Sequence, residues 1–508
     1  MIKHIIVQAG GQGSRLKKLT RNKPKALVSI DNLPIIFHLF RQFPDAHFVI
    51  IGDYKCDVLR KYLDAFAEVD YEIVEAKDGC KGTCSGLSDS LKFIPDATPF
   101  MLIWCDLILD KNLDFASLDL TRNYLGLSQD FECRWMYRDG VFSQYPSREY
   151  GVAGMFLFHD KNILSAVPSS GEFVQWLSTQ NIDFETMGIH GAKEYGLYDF
   201  VNSLDKPKCR PFNQMIFDGD KVTKVGIDEQ GRALARRERN WYSVVQSLEF
   251  ESLPKIYSLE PLIMARIDGK PIYEYGTLST EQKKDILRRI VACLGRLHGI
   301  ASVPADRDSC ESNYIQKTLD RLQKVRKMIP FADCEYITIN GKSCKNFFFC
   351  IDEVSEAMRQ YYPSEFHFIH GDSTFSNILL NKDNTPILID PRGYFGNTEL
   401  YGDVAYDWAK VYYSLATNYD AFNLKNFDLQ INADDVELTI PENGWGELRE
   451  FYLDLIKDDC TVEQINLILA LIWLSLTTYA WDDYDSICGA FYEGLLVLNE
   501  CEFMREKK

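Results

Sequence analysis

Two groups of residues have the types and spacing that phosphate chemistry needs. The first is Gln8-Ala9-Gly10-Gly11-Gln12-Gly13-Ser14-Arg15-Leu16, which follows the apolar run His4–Gln8 and precedes a helix-like stretch. Glycines let a backbone approach a phosphate closely, and the amides then donate to its oxygens. Directly behind the loop, Arg15, Lys17, Lys18, Arg21, Lys23 and Lys25 put six cations into eleven residues of an acidic chain. A solvated basic face would account for cations alone. Behind a glycine loop, however, they stand where a triphosphate and a departing pyrophosphate need neutralisation. A dinucleotide-binding loop is the rival reading. Leu16 occupies the place of its third glycine, and no second buried strand ending in an acidic residue is expected to follow.

The second group is His370-Gly371-Asp372-Ser373-Thr374-Phe375-Ser376-Asn377-Ile378-Leu379-Leu380, after the strand-like Phe366–Ile369. A further strand-like run, Pro386–Ile389, leads into Asp390-Pro391-Arg392-Gly393. Phosphoryl transfer to a hydroxyl needs a carboxylate near the acceptor proton and oxygen ligands for magnesium. Asp372, Asn377 and Asp390 supply those types, spaced by five and thirteen residues. A turn built from Asp, Ser and Asn is the plain alternative, and three matched parts in order oppose it.

The elements that must position these residues differ between the two halves. Over the first 200 or so residues, the β-like runs His4–Gln8, His47–Gly52, Tyr71–Glu75, Phe100–Trp104 and Gly151–Phe158 alternate with helical patterns at Pro34–Phe43 and Cys56–Phe66. Such alternation predicts an α/β domain with a mostly parallel sheet. Two prolines and three cations in Lys206–Pro211 break the pattern, so the domains are read as 1–207 and 212–508. Residues 212 to about 265 form a small β-rich unit with a helix at Arg236–Leu248, and long helices dominate from Thr280 onward.

The first pattern, Gly-Gly-x-Gly-Ser-Arg-Leu with Thr20 and Lys23-Pro24-Lys25-Ala26-Leu27, resembles the signature of nucleotidyltransferases that act on sugar phosphates and phosphocholine. The resemblance implies a Rossmann-like domain. In it Ala9, Gly10, Gly11, Gly13, Ser14 and Arg15 hold a nucleoside triphosphate, CTP or UTP, and Lys25 contacts phosphates near the reacting centre. Arg15 and Lys25 are thus its catalytic cations. Gly82 and Thr83 match the segment near the base. Asp106, after Cys105 where the family has glycine, is the implied magnesium ligand. Asp199, within Gly196–Asn202, is the implied second metal carboxylate, with a helix N-terminal role as the alternative.

The second pattern resembles the aminoglycoside and choline kinase-like phosphotransferases, relatives of protein kinases, over roughly residues 212 to 480. It implies a two-lobed domain in which Asp372 is the catalytic base and Asn377 and Asp390 hold magnesium. In the N-lobe, about 212–265, Lys224 would grip ATP phosphates and Glu238 would be its helix partner, with Lys221 as competitor. Asp403 and Asp407 are read either as acceptor contacts or as helix caps. Trp408, with Tyr412, Tyr413 and Trp473, offers either a cage for a quaternary ammonium or core packing. His298 is read as a hydrogen-bonded structural histidine. The absence of a Gly-x-Gly-x-x-Gly loop disfavours a protein kinase.

The implied reaction is a sequence of two steps. A kinase makes the phosphate monoester of a small hydroxyl compound, a sugar or polyol, and a transferase couples it to a nucleotide for surface glycans. Choline or ethanolamine with CTP is the rival substrate pair. A catalytically inactive, regulatory half is the rival of a different kind. With 56 Lys and Arg against 74 Asp and Glu, the net charge of −18 excludes general nucleic-acid binding. Fourteen cysteines without a CxxC pair suit a reduced cytoplasmic protein. The apolar segment Ile465–Trp481 carries Asn466, Ser475, Thr477 and Thr478, and reads as a buried helix rather than a membrane span. Oligomeric state is left open. Because both substrates are polyanions facing an acidic exterior, magnesium is expected to matter at both sites.

Overall fold

The computed structural model describes residues 2–77, 79–196, 213–248, 250–275 and 277–505. The chain divides into two compact units: Met1–Asp205 with Asp482–Tyr484, and Lys206–Trp481 with Asp485–Lys508. The expected boundary at 207–212 and the expected metal ligand Asp199 lie outside the described residues.

In the first unit the elements are β1 (His4–Gln8), α1 (Ile35–Gln42), β2 (His47–Gly52), α2 (Cys56–Phe66), β3 (Asp70–Glu75), β4 (Phe100–Trp104), β5 (Tyr124–Ser128), β6 (Met136–Arg138), β7 (Val141–Ser143), β8 (Gly151–Phe158) and β9 (Glu185–Gly188). The sheet runs β7-β6-β8-β4-β1-β2-β3, with β5 paired to β8 and β9. Strands β4, β1, β2 and β3 are mutually parallel, and β8 extends the sheet antiparallel to β4. β1 is buried on both faces through Ile5, Ile6 and Val7, as a central strand covered by helices must be. From β1 the chain steps outward to β2 and β3, then crosses back to lay β4 on the other side of β1. This is the switch point where open α/β sheets bind ligands, beyond the carboxyl ends of the strands.

One expectation is corrected here. A second buried strand does follow, β2, and it leads into Asp53. The dinucleotide reading fails on different ground. After the glycine loop the chain enters a 3₁₀ segment, Ser14–Thr20, broken at Lys17 (φ 52°), and not a helix whose N-terminus could face a pyrophosphate.

The second unit opens with the hairpin β10 (Asn213–Asp218) and β11 (Lys221–Gly226), then α3 (Glu229–Ser247), β12 (Ile256–Leu259) and β13 (Leu262–Ala265). The four strands form an antiparallel sheet in the order β10-β11-β13-β12. Helix α3 begins seven residues before the expected Arg236, because the Asp228 side chain caps it by accepting the Gly231 N–H. There follow α4 (Thr280–His298), β14 (Ser302–Pro304), α5 (Lys317–Val325), β15 (Glu365–Phe368), β16 (Ile378–Leu380), β17 (Pro386–Leu388), β18 (Tyr401–Gly402), α6 (Val404–Thr417) and α7 (Val462–Leu476). The two strand-like runs around the second constellation lie in different sheets: β15 between β14 and β18, β17 beside β16. Helix α7 packs on α5 and α6 with nearly every side chain buried. No described helix is long and apolar enough to cross a membrane. No disulfide joins the thirteen described cysteines.

Candidate active sites

The loop after β1 and the turn after β4 meet at the switch point. Gly13 holds the left-handed conformation (φ 65°), and a Cβ there would meet Thr20 and Lys25 side chains at 3.1 and 3.2 Å. Gly11 opens onto free space, so a ligand can reach the backbone between Gly10 and Gly13. Ala9 is buried and donates its N–H to Ile51 at 2.9 Å, tying the loop to β2. Ser14 and Arg15 are exposed, and the buried Lys25 forms an ion pair with Asp106. Gly82 and Thr83 are drawn against β1, where Gln8 Nε2 donates to the Thr83 carbonyl at 2.6 Å. The Thr83 hydroxyl accepts the Phe173 N–H at 2.7 Å.

A residue the sequence reading passed over joins this group. The strand pair Lys193–Glu194 with Leu107–Ile108 sets Glu194 beside the segment that follows Asp106. The Tyr195 N–H donates to the Asp106 carbonyl, and Glu194 Oε1 stands 4.0 Å from Arg15. Burial pushes the Glu194 carboxyl above its ordinary range, and the neighbouring Asp106 carboxylate adds to that. Its only linear signal was its place just before Gly196.

In the second unit Asp372 follows Gly371, whose φ of 80° turns the chain out of His370. The carboxylate accepts from Lys410 Nζ at 3.0 Å and from Asn377 Nδ2 at 3.0 Å, and its side chain is 37% exposed. Burial alone would raise this carboxyl; the Lys410 ammonium outweighs it and holds the group below its ordinary value. Lys224 pairs with Glu238 at 2.8 Å and also contacts Asp390. Burial pushes Glu238 up to about 7 against the pull of Lys224. Asp390 takes a left-handed conformation (φ 57°) that few side chains adopt. Helix α3 is seated by Trp241, whose indole N–H donates to the Ile369 carbonyl at 2.8 Å. Burial holds the His370 imidazole below its ordinary pKa. Its Nδ1 accepts the Asp372 N–H, and its Nε2 donates to the Ile389 carbonyl.

Asp403, Asp407 and Trp408, considered as acceptor contacts, are all buried behind this loop. Asp403 caps α6 through the Ala405 N–H at 2.9 Å and accepts from the Tyr314 hydroxyl at 2.8 Å. Asp407 accepts the N–H groups of His370 and Gly371 at 2.8 and 2.7 Å and a contact from His298 Nε2 at 3.1 Å. It therefore clamps the loop that carries Asp372. Trp408 packs edge-on against His298. The proposed ammonium cage is core: Tyr413 and Trp473 are buried against each other, and Lys410 lies 5.3 Å from the Tyr413 ring centre.

Magnesium suits these donors. Asp106, Asp390 and Asn377 offer hard oxygen ligands, and each aspartate already faces a lysine ammonium. No cluster of three or more His, Cys, Asp or Glu exists among the described residues. Magnesium at these donors would be held by one or two protein oxygens together with substrate phosphates. Bound there, magnesium would neutralise and orient phosphate oxygens.

Fold and site thus define two phosphate-handling transferase units on one chain. Residues 5–116 match the family model of the MobA-like NTP transferase domain, and residues 225–451 that of the phosphotransferase enzyme family. The chain is a fusion of a nucleotidyltransferase domain with an aminoglycoside phosphotransferase-type, kinase-like domain, both from enzyme families. It is similar to the UTP–glucose-1-phosphate uridylyltransferase AglF of Haloferax volcanii, 32% identical over 113 residues. That match covers 21% of this chain and 45% of the relative, so the chain spans under half the relative's length. Among solved structures it is similar to HddC from Yersinia pseudotuberculosis (18% identity, 39% of this chain and 96% of that one, TM-score 0.34). The inositol-1-phosphate CTP transferase from T. maritima is another (17% identity, 40% and 92%, TM-score 0.32).

Proposed function

We propose that the chain carries out two consecutive transfers. The kinase-like unit moves the γ-phosphoryl group of ATP to a hydroxyl of a small sugar or polyol. The nucleotidyltransferase unit then couples the resulting phosphate monoester to a nucleotidyl group from CTP or UTP, releasing pyrophosphate and an activated precursor for surface glycans. Magnesium serves both steps, and the partners are these small molecules.

The observation that carries this reading is the pairing of two phosphate-handling constellations in one chain. Asp372, Asn377, Asp390, Lys224 and Glu238 have the types a hydroxyl kinase needs, and Lys224 stands on Glu238 and Asp390. The glycine loop, Arg15, Lys25 and Asp106 have those needed to attack a triphosphate with an anionic nucleophile, which requires positioning more than a strong base. The product class of the first is the acceptor class of the second. Choline or ethanolamine with CTP is the alternative acceptor pair, decided by the same acceptor panel; the aromatic residues considered for an ammonium cage are buried, with Lys410 5.3 Å from the Tyr413 ring centre.

Mass spectrometry of products from the full chain, ATP, mixed triphosphates and an acceptor panel tests the reading. Asp372→Ala should abolish phosphorylation and spare nucleotidyl transfer to a supplied phosphate monoester; Asp106→Ala should do the reverse. Retention of its own activity by either variant would refute that assignment.

A further inference from the structure

The kinase-like unit holds a group of cations whose charge its own carboxylates do not match. Lys410, buried, lies 3.0 Å from Asp372. On its other side it approaches the Tyr406 ring, 5.7 Å from the centre, and Lys317 approaches the same ring at 5.4 Å. Arg392 donates to the Tyr406 hydroxyl at 3.2 Å and to the Tyr394 hydroxyl at 2.8 Å. Arg321 stands one turn after Lys317 on α5, on the same helix face, and donates to the Ser475 carbonyl. Among the described residues, Lys317, Arg321 and Arg392 form no ion pair with a carboxylate, and Asp372 is the one carboxylate paired with Lys410. Burial and the neighbouring Arg392, Arg321 and Lys410 hold Lys317 well below its ordinary pKa. Like charges crowded without counter-ions are unfavourable, and a bound anion relieves them.

A second observation points the same way. Asn313 is 4% exposed, and its Nδ2 has no hydrogen-bond partner, while its Oδ1 accepts from Lys317 Nζ at 2.8 Å. A buried amide with a lone donor is costly unless something accepts from it. The turn that carries it, Glu311–Gln316, is a π-helix, a form frequent at functional sites.

We infer that the acceptor of the phosphotransferase carries an anionic group, a carboxylate or phosphate, that is held by Lys317, Arg321, Arg392 and Asn313 while its hydroxyl faces Asp372. The inference rests on the phosphotransferase reading above and names the substrate class of that site. In the step, the acceptor oxygen bonds to the γ-phosphorus of ATP. The bond from that phosphorus to the β,γ-bridging oxygen breaks, its electron pair leaving on ADP, and the hydroxyl proton passes to the Asp372 carboxylate. A cationic acceptor would meet repulsion from this group of cations.

The test uses the full chain with ATP, magnesium and four kinds of acceptor. These are carboxylates (gluconate, glycerate), a phosphate (glycerol 3-phosphate), neutral polyols (sorbitol, glycerol) and cations (choline, ethanolamine). An anionic acceptor should exceed its neutral counterpart at least 100-fold in kcat/KM, and the first two arms tell carboxylate from phosphate. Lys317→Met and Arg321→Met should raise the acceptor KM tenfold or more with the ATP KM unchanged, and Lys317→Arg should restore much of it. Preference for a neutral or cationic acceptor overturns the inference, as does a rise in the ATP KM in place of the acceptor KM. If a methionine variant fails to fold, the acceptor ranking of the unmodified chain still decides. Turnover of ATP untouched by Asp372→Asn, with no acceptor phosphorylated, would instead refute the phosphotransferase reading itself.

Discussion

The two sites meet phosphate in opposite ways. In the first unit one short segment supplies the glycine backbone and most of the cations, and Arg15 reaches into solvent with a side chain 64% exposed. In the second unit the charges are inside and come from far apart. Lys224 is 166 residues from Asp390, and its side chain is only 10% exposed. An exposed cation acts on a ligand and does little for the fold, since surface ion pairs contribute about 0–1 kcal/mol. A buried one is held by partners whose desolvation it offsets, so removing it affects ligand and fold together.

That contrast can be broken by substitution. The largest effect is expected from Asp407→Ala, which strands two loop N–H groups and the His298 contact. Losing one partner of such a buried network costs about 3–5 kcal/mol. Calorimetry should show one unfolding transition shifted down and another unmoved; two shifted transitions, or none, would deny that the clamp is local to the kinase-like unit. Next comes the pair Lys224→Met and Arg15→Met. The first should lower both phosphorylation and the melting temperature, because Glu238 and Asp390 lose their counter-ion. The second should lower nucleotidyl transfer alone, by about 10²-fold if Arg15 steadies developing charge. Equal stability losses in the two variants would erase the distinction.

The smallest effect concerns pH. Burial pushes the Asp403 carboxyl from 3.8 up to about 6, so the folded chain favours its protonated form. Its contribution to stability is complete below pH 3.8 and is lost as pH rises through about 6. Asp403→Asn keeps an oxygen for the Ala405 N–H and offers an amide that can donate to the Tyr314 hydroxyl oxygen, and should narrow the fall in melting temperature across that window. An unchanged pH profile would remove Asp403 as its source.

Much of the scaffold is legible along the chain, because strands and helices reflect neighbouring residues. β1 and α2 have the bounds that their apolar patterns indicate. Helix α3 does not, since Gly231 interrupts the pattern while Asp228, a cap acting across three residues, starts the helix earlier. The partnership of Phe366–Ile369 and Pro386–Ile389 in different sheets is likewise invisible in either run.

For the chemistry, the sequence by itself determined the glycine loop with its cations and the order Asp372, Asn377, Asp390. Each depends on backbone turns a few residues long, where residue type and spacing dictate geometry. Only the tertiary structure decided that Asp407 serves the loop and not the acceptor, that the aromatic residues beside it are core, and that Glu194 stands by Asp106. It alone brought Lys317 and Arg321, each more than fifty residues before Asp372, to the group around Lys410. Charge acts through space, and which charges share a space follows from how distant helices pack, which no local pattern encodes.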